Sequence, residues 1–129
     1  MRIVTHSGKF HADDVLAWSL LCHFHPSGKR FTLERTRDAT IHEVADIVFD
    51  VGGIYDPVNG RFDHHQNEYQ GPLSSAGMML EWLTESDWIP TELSRRIREG
   101  LVSYVDDVDN GRVEEKPNIP CFSKMVNLF

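Results

Sequence analysis

The stretch ADIVFDVGG, residues 45–53, decides the fold, because a compact apolar run there ends in a Gly-Gly turn. A short run rich in β-branched and aromatic residues is typical of a strand buried on both faces of a parallel sheet. Outward from it, RIVT (2–5) and FTLERTR (31–37) are predicted strands. IYDPVNGRFDHH (54–65) is a predicted hairpin with an Asn-Gly turn. The chain therefore offers several short strands for one sheet.

Helical patterns alternate with these strands. The sequence predicts helices over residues 15–24, 38–44 and 74–83, and a longer amphipathic helix over 91–111. The apolar residues of the longest helix recur three or four positions apart: Leu93, Ile97, Leu101 and Tyr104. This alternation predicts an α/β fold, with a mostly parallel sheet and helices on its faces. The length of 129 residues is typical of one domain, so we expect a single domain over residues 1–129.

Composition limits the classes of function. The formal net charge of −7 excludes a global basic field for binding nucleic acid. No apolar run reaches the roughly 20 residues needed to span a bilayer, so we expect no membrane partner. The two cysteines, Cys22 and Cys121, are far apart and form no CxxC pattern. That usage is typical of a reducing cytosol, so we expect a cytoplasmic protein. The alternative is a single disulfide between the two cysteines.

Side chains able to bind metals follow several of the predicted strands. His6 comes after the first strand, Asp50 ends the central one, and Asp63, His64 and His65 close the hairpin. In open α/β sheets, ligands bind beyond the carboxyl ends of the strands. We therefore expect these side chains to meet at one edge of the sheet.

The first turn, THSGKFHADD (5–14), carries His6, His11 and Asp13 between a strand and a helix. Imidazole nitrogens and carboxylate oxygens suit manganese, zinc or iron. The alternative is a surface loop in which Asp13 or Asp14 caps the helix.

Asp50 stands at the end of an apolar strand, where an ionised carboxylate is costly to bury unless it is paired or binds a metal. Its two oxygens could bridge two cations, or they could accept hydrogen bonds from the Gly-Gly turn. His64 and His65 point to opposite sides if the segment is extended, so one could bind a metal while the other faces substrate. Asp63 could orient one of the two imidazoles.

The segment VDDVDNG (105–111) places Asp106 and Asp109 on one face of the last predicted helix. Two carboxylates near a helix C-terminus are unfavourable with the macrodipole, and a cation would offset that cost. The alternative is a solvated acidic helix end. Together with the other groups, these residues indicate a two-metal hydrolase, in which paired ions turn water into a nucleophile.

Six motifs occur in series: THSGKFHADD, RTRD, DIVFDVGGIYDP, RFDHHQ, LSSAG and VDDVDNG. Their order resembles the Myg-type metal-dependent exonuclease family, named after a melanocyte-proliferating gene and related to the DHH phosphoesterase superfamily. The resemblance runs over essentially the whole chain and implies a DHH-like catalytic domain that binds two manganese ions. It also implies that the family's usual C-terminal region is lacking here, and that a homo-oligomer or a partner chain could supply it.

The resemblance implies roles for single residues as well. Asp50 and His65 are the implied catalytic residues, with His65 touching the scissile phosphate. The implied metal ligands are His6, His11 (where most DHH enzymes have an aspartate), Asp13, Asp50, His64 and either Asp106 or Asp109, with Asp106 favoured. For substrate, Lys9 and Arg37 are the nearby cations expected to bind phosphate. Ser74 and Ser75 could offer hydroxyls and helix N-terminal amides, or could simply cap that helix.

The function that these expectations favour is a metal-dependent phosphoesterase, a 3′–5′ exonuclease-like hydrolase of RNA or short oligonucleotides. One alternative is a hydrolase of a small phosphate compound, such as a dinucleotide or pyrophosphate. Another is a metal-binding module without turnover.

Overall fold

The computed structural model describes residues 1–129 and confirms the predicted α/β fold. One sheet holds all five strands in the order β2-β1-β3-β5-β4. The strands are β1 Arg2–Thr5, β2 Thr32–Arg35, β3 Ile47–Phe49, β4 Tyr55–Asp56 and β5 Arg61–Phe62. The helices are α1 Ala12–Phe24, α2 Ala39–Val44, α3 Ser75–Glu85, α4 Thr91–Ile97, α5 Ser103–Asp109 and α6 Phe122–Val126. Short 3-10 turns occupy Gly28–Arg30 and Pro57–Asn59.

The sheet is parallel except at one edge. β1 pairs in parallel with β2 and β3, and β3 pairs in parallel with β5. β4 is antiparallel to β5, as the predicted hairpin requires. Gly60 ends the turn of this hairpin with φ 71°, and a Cβ there would collide with the carbonyl oxygen of Asp46. Only glycine fits both the left-handed backbone and the close approach to the next strand.

The two faces of the sheet are covered unequally. One face carries the main core of 18 buried residues, to which α1, α3 and α5 contribute Leu16, Leu80 and Val105. Each large apolar side chain buried there stabilises the fold by about 1.5–3 kcal/mol. The other face carries a cluster of only three buried residues, including Val4 and Val48, beneath the short helix α2. The second face therefore has room for a cavity.

The long helix predicted over residues 91–111 contains a π-helical turn, Arg98–Val102, between α4 and α5. A π-turn inserts one residue into the helical register and rotates everything that follows it. Val102 and Val105 consequently enter the core, whereas Tyr104 is 36% exposed. The prediction that Tyr104 continues the apolar stripe is wrong for that reason.

None of the helices is long and apolar enough to cross a bilayer. Cys22 and Cys121 are both free thiols, so the structure has no disulfide.

Candidate metal centre

The candidate site lies at the carboxyl edge of the sheet, where three parallel strands end together. His6, Asp50 and Asp63 are the residues that directly follow β1, β3 and β5. All three are buried, with at most 3% of their surface exposed. The prediction that these side chains meet at one edge of the sheet is confirmed, because parallel register carries them there.

Asp50 is held in an unusual backbone conformation. Its φ is 56°, a left-handed value that is uncommon outside glycine and costs about 1–3 kcal/mol. Its amide donates to the carbonyl of Phe62, which fixes the turn. The carboxylate then presents its Oδ2 at 3.2 Å from His6 Nε2 and its Oδ1 at 3.5 Å from His64 Nε2. Each oxygen of one carboxylate thus faces a different imidazole.

The Gly-Gly turn serves another carboxylate. The amide of Gly53 donates to Asp63 Oδ2 at 2.8 Å, while Asp50 Oδ2 is buried without any hydrogen-bond partner. The alternative in which this turn satisfies Asp50 is therefore wrong.

Both buried histidines have one ring nitrogen fixed by an oxygen acceptor. His6 Nδ1 lies 3.1 Å from the carbonyl of Ser7, and His64 Nδ1 lies 3.0 Å from Asn110 Oδ1. These oxygens can only accept, so Nδ1 carries the proton in each ring. In the neutral imidazole, Nε2 then offers its lone pair toward the carboxylates. A metal-binding histidine needs this arrangement.

Several buried polar atoms converge here without hydrogen-bond partners. They are His6 Nε2, His64 Nε2, Asp50 Oδ2 and both carboxylate oxygens of Asp13. An unsatisfied buried polar group costs about 1–3 kcal/mol, more if it is charged. All of these atoms are lone-pair donors of the types that divalent transition ions accept. The residues present therefore fit a metal ion.

Protons compete for the same lone pairs. The close carboxylates of Asp14 and Asp50, 3.1 and 3.2 Å from Nε2, raise the pKa of His6 to about 10. Burial lowers the pKa of His64, but the close carboxylates of Asp109, Asp13 and Asp50 outweigh burial and raise the pKa overall. Burial raises the pKa of Asp13 well above its usual range. Any metal that binds must displace the protons held by these groups.

Four overlapping groups of side chains have ligand atoms close enough to share a metal ion, each group within 4.8 Å. They are Asp50–Asp63–His64–His65, His6–His11–Asp50, Asp13–His64–Asp109 and Asp13–Asp14–Asp50. Asp50 belongs to three of the four groups, so it links the two sides of the site.

Asp109, and not the favoured Asp106, reaches this cluster. Asp109 Oδ2 lies 2.9 Å from His64 Nε2. Asp106 instead accepts hydrogen bonds from the amide and hydroxyl of Ser74, at 2.9 and 2.7 Å. A Cβ on Gly77 would lie 2.6 Å from the same carboxylate, so the packing of Asp106 against α3 is tight. Asp106 thus joins α5 to α3, and the preference for it as a metal ligand is corrected.

The two serines at the start of α3 are not placed to bind substrate. Ser74 and Ser75 have no exposed surface. Ser74 donates to Asp106, and Ser75 Oγ donates to the carbonyl of Phe62 at 2.7 Å. Neither hydroxyl caps α3. The expectation of a substrate or capping role is overturned because both hydroxyls are used to hold neighbouring elements.

An open cleft of about 380 Å³ leads to the buried ligands, and its walls include His6, His11, Arg37 and His65. The side chain of His65 is 59% exposed, and its Nδ1 is held by Asp63 Oδ1 at 2.6 Å. His64 and His65 therefore point inward and outward, as the extended segment predicts. Lys9 is exposed on the same loop as His11 but does not line this cleft.

Sequence analysis missed two side chains of the site. Asp14 Oδ2 lies 3.1 Å from His6 Nε2, although the pattern marked Asp14 only as a possible helix cap. Its Oδ1 accepts a hydrogen bond from the amide of His11 at the start of α1. Asp14 therefore stabilises the first turn of α1 and also contacts a candidate metal ligand. Asn110 accepts a hydrogen bond from His64 Nδ1. In the sequence, Asn110-Gly111 indicated only the end of a helix.

Comparisons with known proteins show which family this chain resembles in sequence. The family model MYG1_exonuc, described as Uncharacterised protein family (UPF0160), matches residues 2–126. The chain is 40% identical over 127 residues to a MYG1 protein of Chlamydia pneumoniae, covering 98% of this chain and 43% of that protein. It is 37% identical over 134 residues to the MYG1 exonuclease of Homo sapiens, covering 85% of this chain and 35% of that protein. The chain thus spans less than half the length of these curated relatives. No solved structure matches it.

Proposed function

This chain belongs to the MYG1_exonuc family, and on that premise we propose that it is a divalent-metal-dependent phosphodiesterase acting on RNA or short oligonucleotides. The observation that carries the proposal is the convergence of buried imidazole nitrogens and carboxylate oxygens from His6, Asp13, Asp50 and His64. Relatives named MYG1 exonuclease support a nuclease-type reaction.

We propose that two ions bind, with manganese as the metal. His6, His11 and Asp50 would hold one ion, and Asp13, His64 and Asp109 would hold the other. Asp50 would be shared, because its two oxygens face His6 and His64. When bound, such ions lower the pKa of water and polarise a phosphoryl oxygen.

The chain's own residues would bind and orient the phosphodiester. Asp63 accepts a hydrogen bond from His65 Nδ1 and raises the pKa of the ring. In the doubly protonated ring, Nε2 on the exposed side would donate to a phosphate oxygen. Arg37 makes one long hydrogen bond, 3.3 Å to the carbonyl of Ser7, so most of its guanidinium donors stay available for phosphate. Burial of Asp50 and Asp13 keeps bulk water from the carboxylates, which strengthens their electrostatic effect.

A second candidate function, hydrolysis of a small phosphate compound, is favoured by the cleft volume of about 380 Å³. That volume is near the lower limit of small-molecule sites, about 300–1,000 Å³. A cleft of this size suits a small phosphate compound, such as a dinucleotide or pyrophosphate, better than a long strand.

The test uses an end-labelled oligoribonucleotide, a dinucleotide and pyrophosphate, each incubated with manganese and with a chelator. We expect manganese-dependent cleavage of the oligoribonucleotide, and 5′ against 3′ labels then test the 3′–5′ direction. Asp50→Asn should lower kcat/KM by about 100-fold or more. Asp87→Asn is the matched control, because Asp87 is exposed and also has a positive φ.

Three results would redirect the proposal. Cleavage of pyrophosphate but of neither nucleic acid substrate would favour the second candidate. Bound manganese without hydrolysis of any ester would favour a metal-binding module. Equal activity of Asp50→Asn and wild type would refute the site. That a homo-oligomer or partner chain completes the cleft stays a prediction, and sedimentation with and without oligonucleotide tests it.

A further inference from the structure

A second cavity of about 470 Å³ opens on the thinly covered face of the sheet. It borders the metal cleft, because Arg37, Val51 and Gly52 line both. Its volume is within the range of small-molecule sites, about 300–1,000 Å³. A ligand with one part at the metal centre could therefore extend another part past Arg37 into this cavity.

The walls of this cavity are rigid. Val48 and Arg61 are register partners on adjacent strands and form its floor. The guanidinium of Arg61 donates to five backbone carbonyls, including His42 and Ala45 at 3.0 Å each. This network ties the end of α2 to the hairpin. Because Arg61 is used in this way, it stabilises the cavity and has little left to offer an anion.

The lining is apolar with a few polar groups at defined places. Val48, Val51, Ile54 and Ala39 supply its apolar surface. Ile54 is 52% exposed, so part of this apolar lining faces solvent. Such a lining suits a planar ring that is apolar on its faces and polar at its edge.

One polar atom at the cavity wall, on a largely buried side chain, makes no hydrogen bond within the protein. His42 is only 9% exposed, and its Nε2 donates to the carbonyl of Thr36 at 2.9 Å. In the neutral ring, Nδ1 is therefore an acceptor, and it faces the wall formed by Gly52. The exposed carboxylate of Glu43 is a second acceptor in the lining. The polar edge of the cavity thus offers hydrogen-bond acceptors, and a matching ligand would present hydrogen-bond donors.

We propose that this cavity is a nucleobase subsite, which binds the base of the nucleotide next to the phosphate in the metal cleft. Acceptors at His42 and Glu43 favour bases that present amino hydrogens, namely adenine, cytosine and guanine, over uracil. Arg37 then lies between base and phosphate, where it contacts the sugar-phosphate link. The inference rests on the proposed function for the identity of the ligand, a nucleotide, and it favours oligonucleotides over pyrophosphate.

The test measures binding without hydrolysis. A negative result would therefore count against the subsite and not against the proposed phosphodiesterase activity. Metal-free, isotope-labelled protein is titrated with adenosine monophosphate, uridine monophosphate and ribose 5-phosphate while nuclear magnetic resonance follows the Val48 and Gly52 amides and His42 Nδ1. We expect adenosine monophosphate to shift the Val48 and His42 signals, which belong to this cavity alone, and uridine monophosphate to shift them less. Ribose 5-phosphate should leave both unchanged, and a shift of Gly52 alone reports binding in the adjoining metal cleft. Equal shifts of Val48 and His42 from adenosine monophosphate and ribose 5-phosphate, or no binding of adenosine monophosphate, would overturn the subsite.

Two variants on α2 sharpen the test. Ala39→Trp fills the cavity and should weaken binding of adenosine monophosphate by about tenfold or more. Val44→Trp is the matched control, because Val44 is 66% exposed on the same helix and does not line the cavity. In hydrolysis, Ala39→Trp should lower kcat/KM for a diadenosine dinucleotide more than for an analogue with one base removed. An equal loss with both substrates, or an equal effect of both variants, would contradict the subsite.

Discussion

Asn110 is not a proposed metal ligand, but its substitution should weaken metal binding. Its Oδ1 accepts from His64 Nδ1 at 3.0 Å, which orients the ring so that Nε2 faces Asp13, Asp50 and Asp109. Removing such a supporting partner typically costs 10–100-fold in metal affinity, which is about 1.4–2.8 kcal/mol. We therefore expect Asn110→Ala to bind manganese about 10–100-fold more weakly than wild type in isothermal titration calorimetry.

The same substitution removes two structural hydrogen bonds, so a rescue variant is needed. Asn110 Nδ2 donates to the carbonyls of Asp106 and Pro72, at 3.1 and 3.3 Å. Asn110→Asp keeps the acceptor for His64 but loses this donor. If ring orientation is the cause, Asn110→Asp should bind manganese at least as tightly as wild type, although its free energy of unfolding falls. The exposed Asn67→Ala is the control. Wild-type affinity in Asn110→Ala, or an equal loss in Asn110→Asp, would refute the reasoning.

Further predictions concern protons, the two aspartates of α5 and one glycine. Because the pKa of His6 is raised to about 10 and that of His64 is also raised, both rings hold a second proton, on Nε2, at neutral pH when no metal is bound. Manganese must displace these protons, so its affinity should rise with pH, and calorimetry in buffers of different ionisation enthalpy should detect proton release; a pH-independent affinity would contradict this. Asp109→Asn should weaken manganese binding about tenfold, whereas Asp106→Asn should lower the free energy of unfolding with little effect on metal; the reverse ranking would restore Asp106 as ligand. Gly77→Ala places a Cβ 2.6 Å from the Asp106 carboxylate and should lower the free energy of unfolding by about 1–3 kcal/mol in denaturant titrations; unchanged stability would show that this contact relaxes freely.

The sequence was informative where a local rule fixed the geometry. His6 and Asp50 were predicted correctly to share an edge, because residues that follow parallel strands must come together there. His64 is buried and His65 is exposed, as the alternation of side chains along an extended segment predicts. These rules need only the order of elements and the period of a strand.

Residues that depend on a distant partner were missed or misassigned. The choice between Asp106 and Asp109 depends on a π-turn upstream and on the position of Ser74, which helical spacing alone does not give. Asn110 reaches a histidine 46 positions away, so no local pattern marks it. Ser74 satisfied a cap pattern, yet its hydroxyl bonds across to another helix. The relation to the wider DHH superfamily, the single-domain boundary and the cytoplasmic location stay predictions.

The central claim is that buried imidazoles and carboxylates meet at the edge of the sheet in order to bind divalent cations. Crystals grown with manganese, measured at the manganese absorption edge, test it most directly. We predict two anomalous peaks, one between His6 and Asp50 and one between Asp50 and His64, with Asp50 bound to both ions. No peak beside Asp50, with manganese present elsewhere or absent from the crystal, would contradict the account.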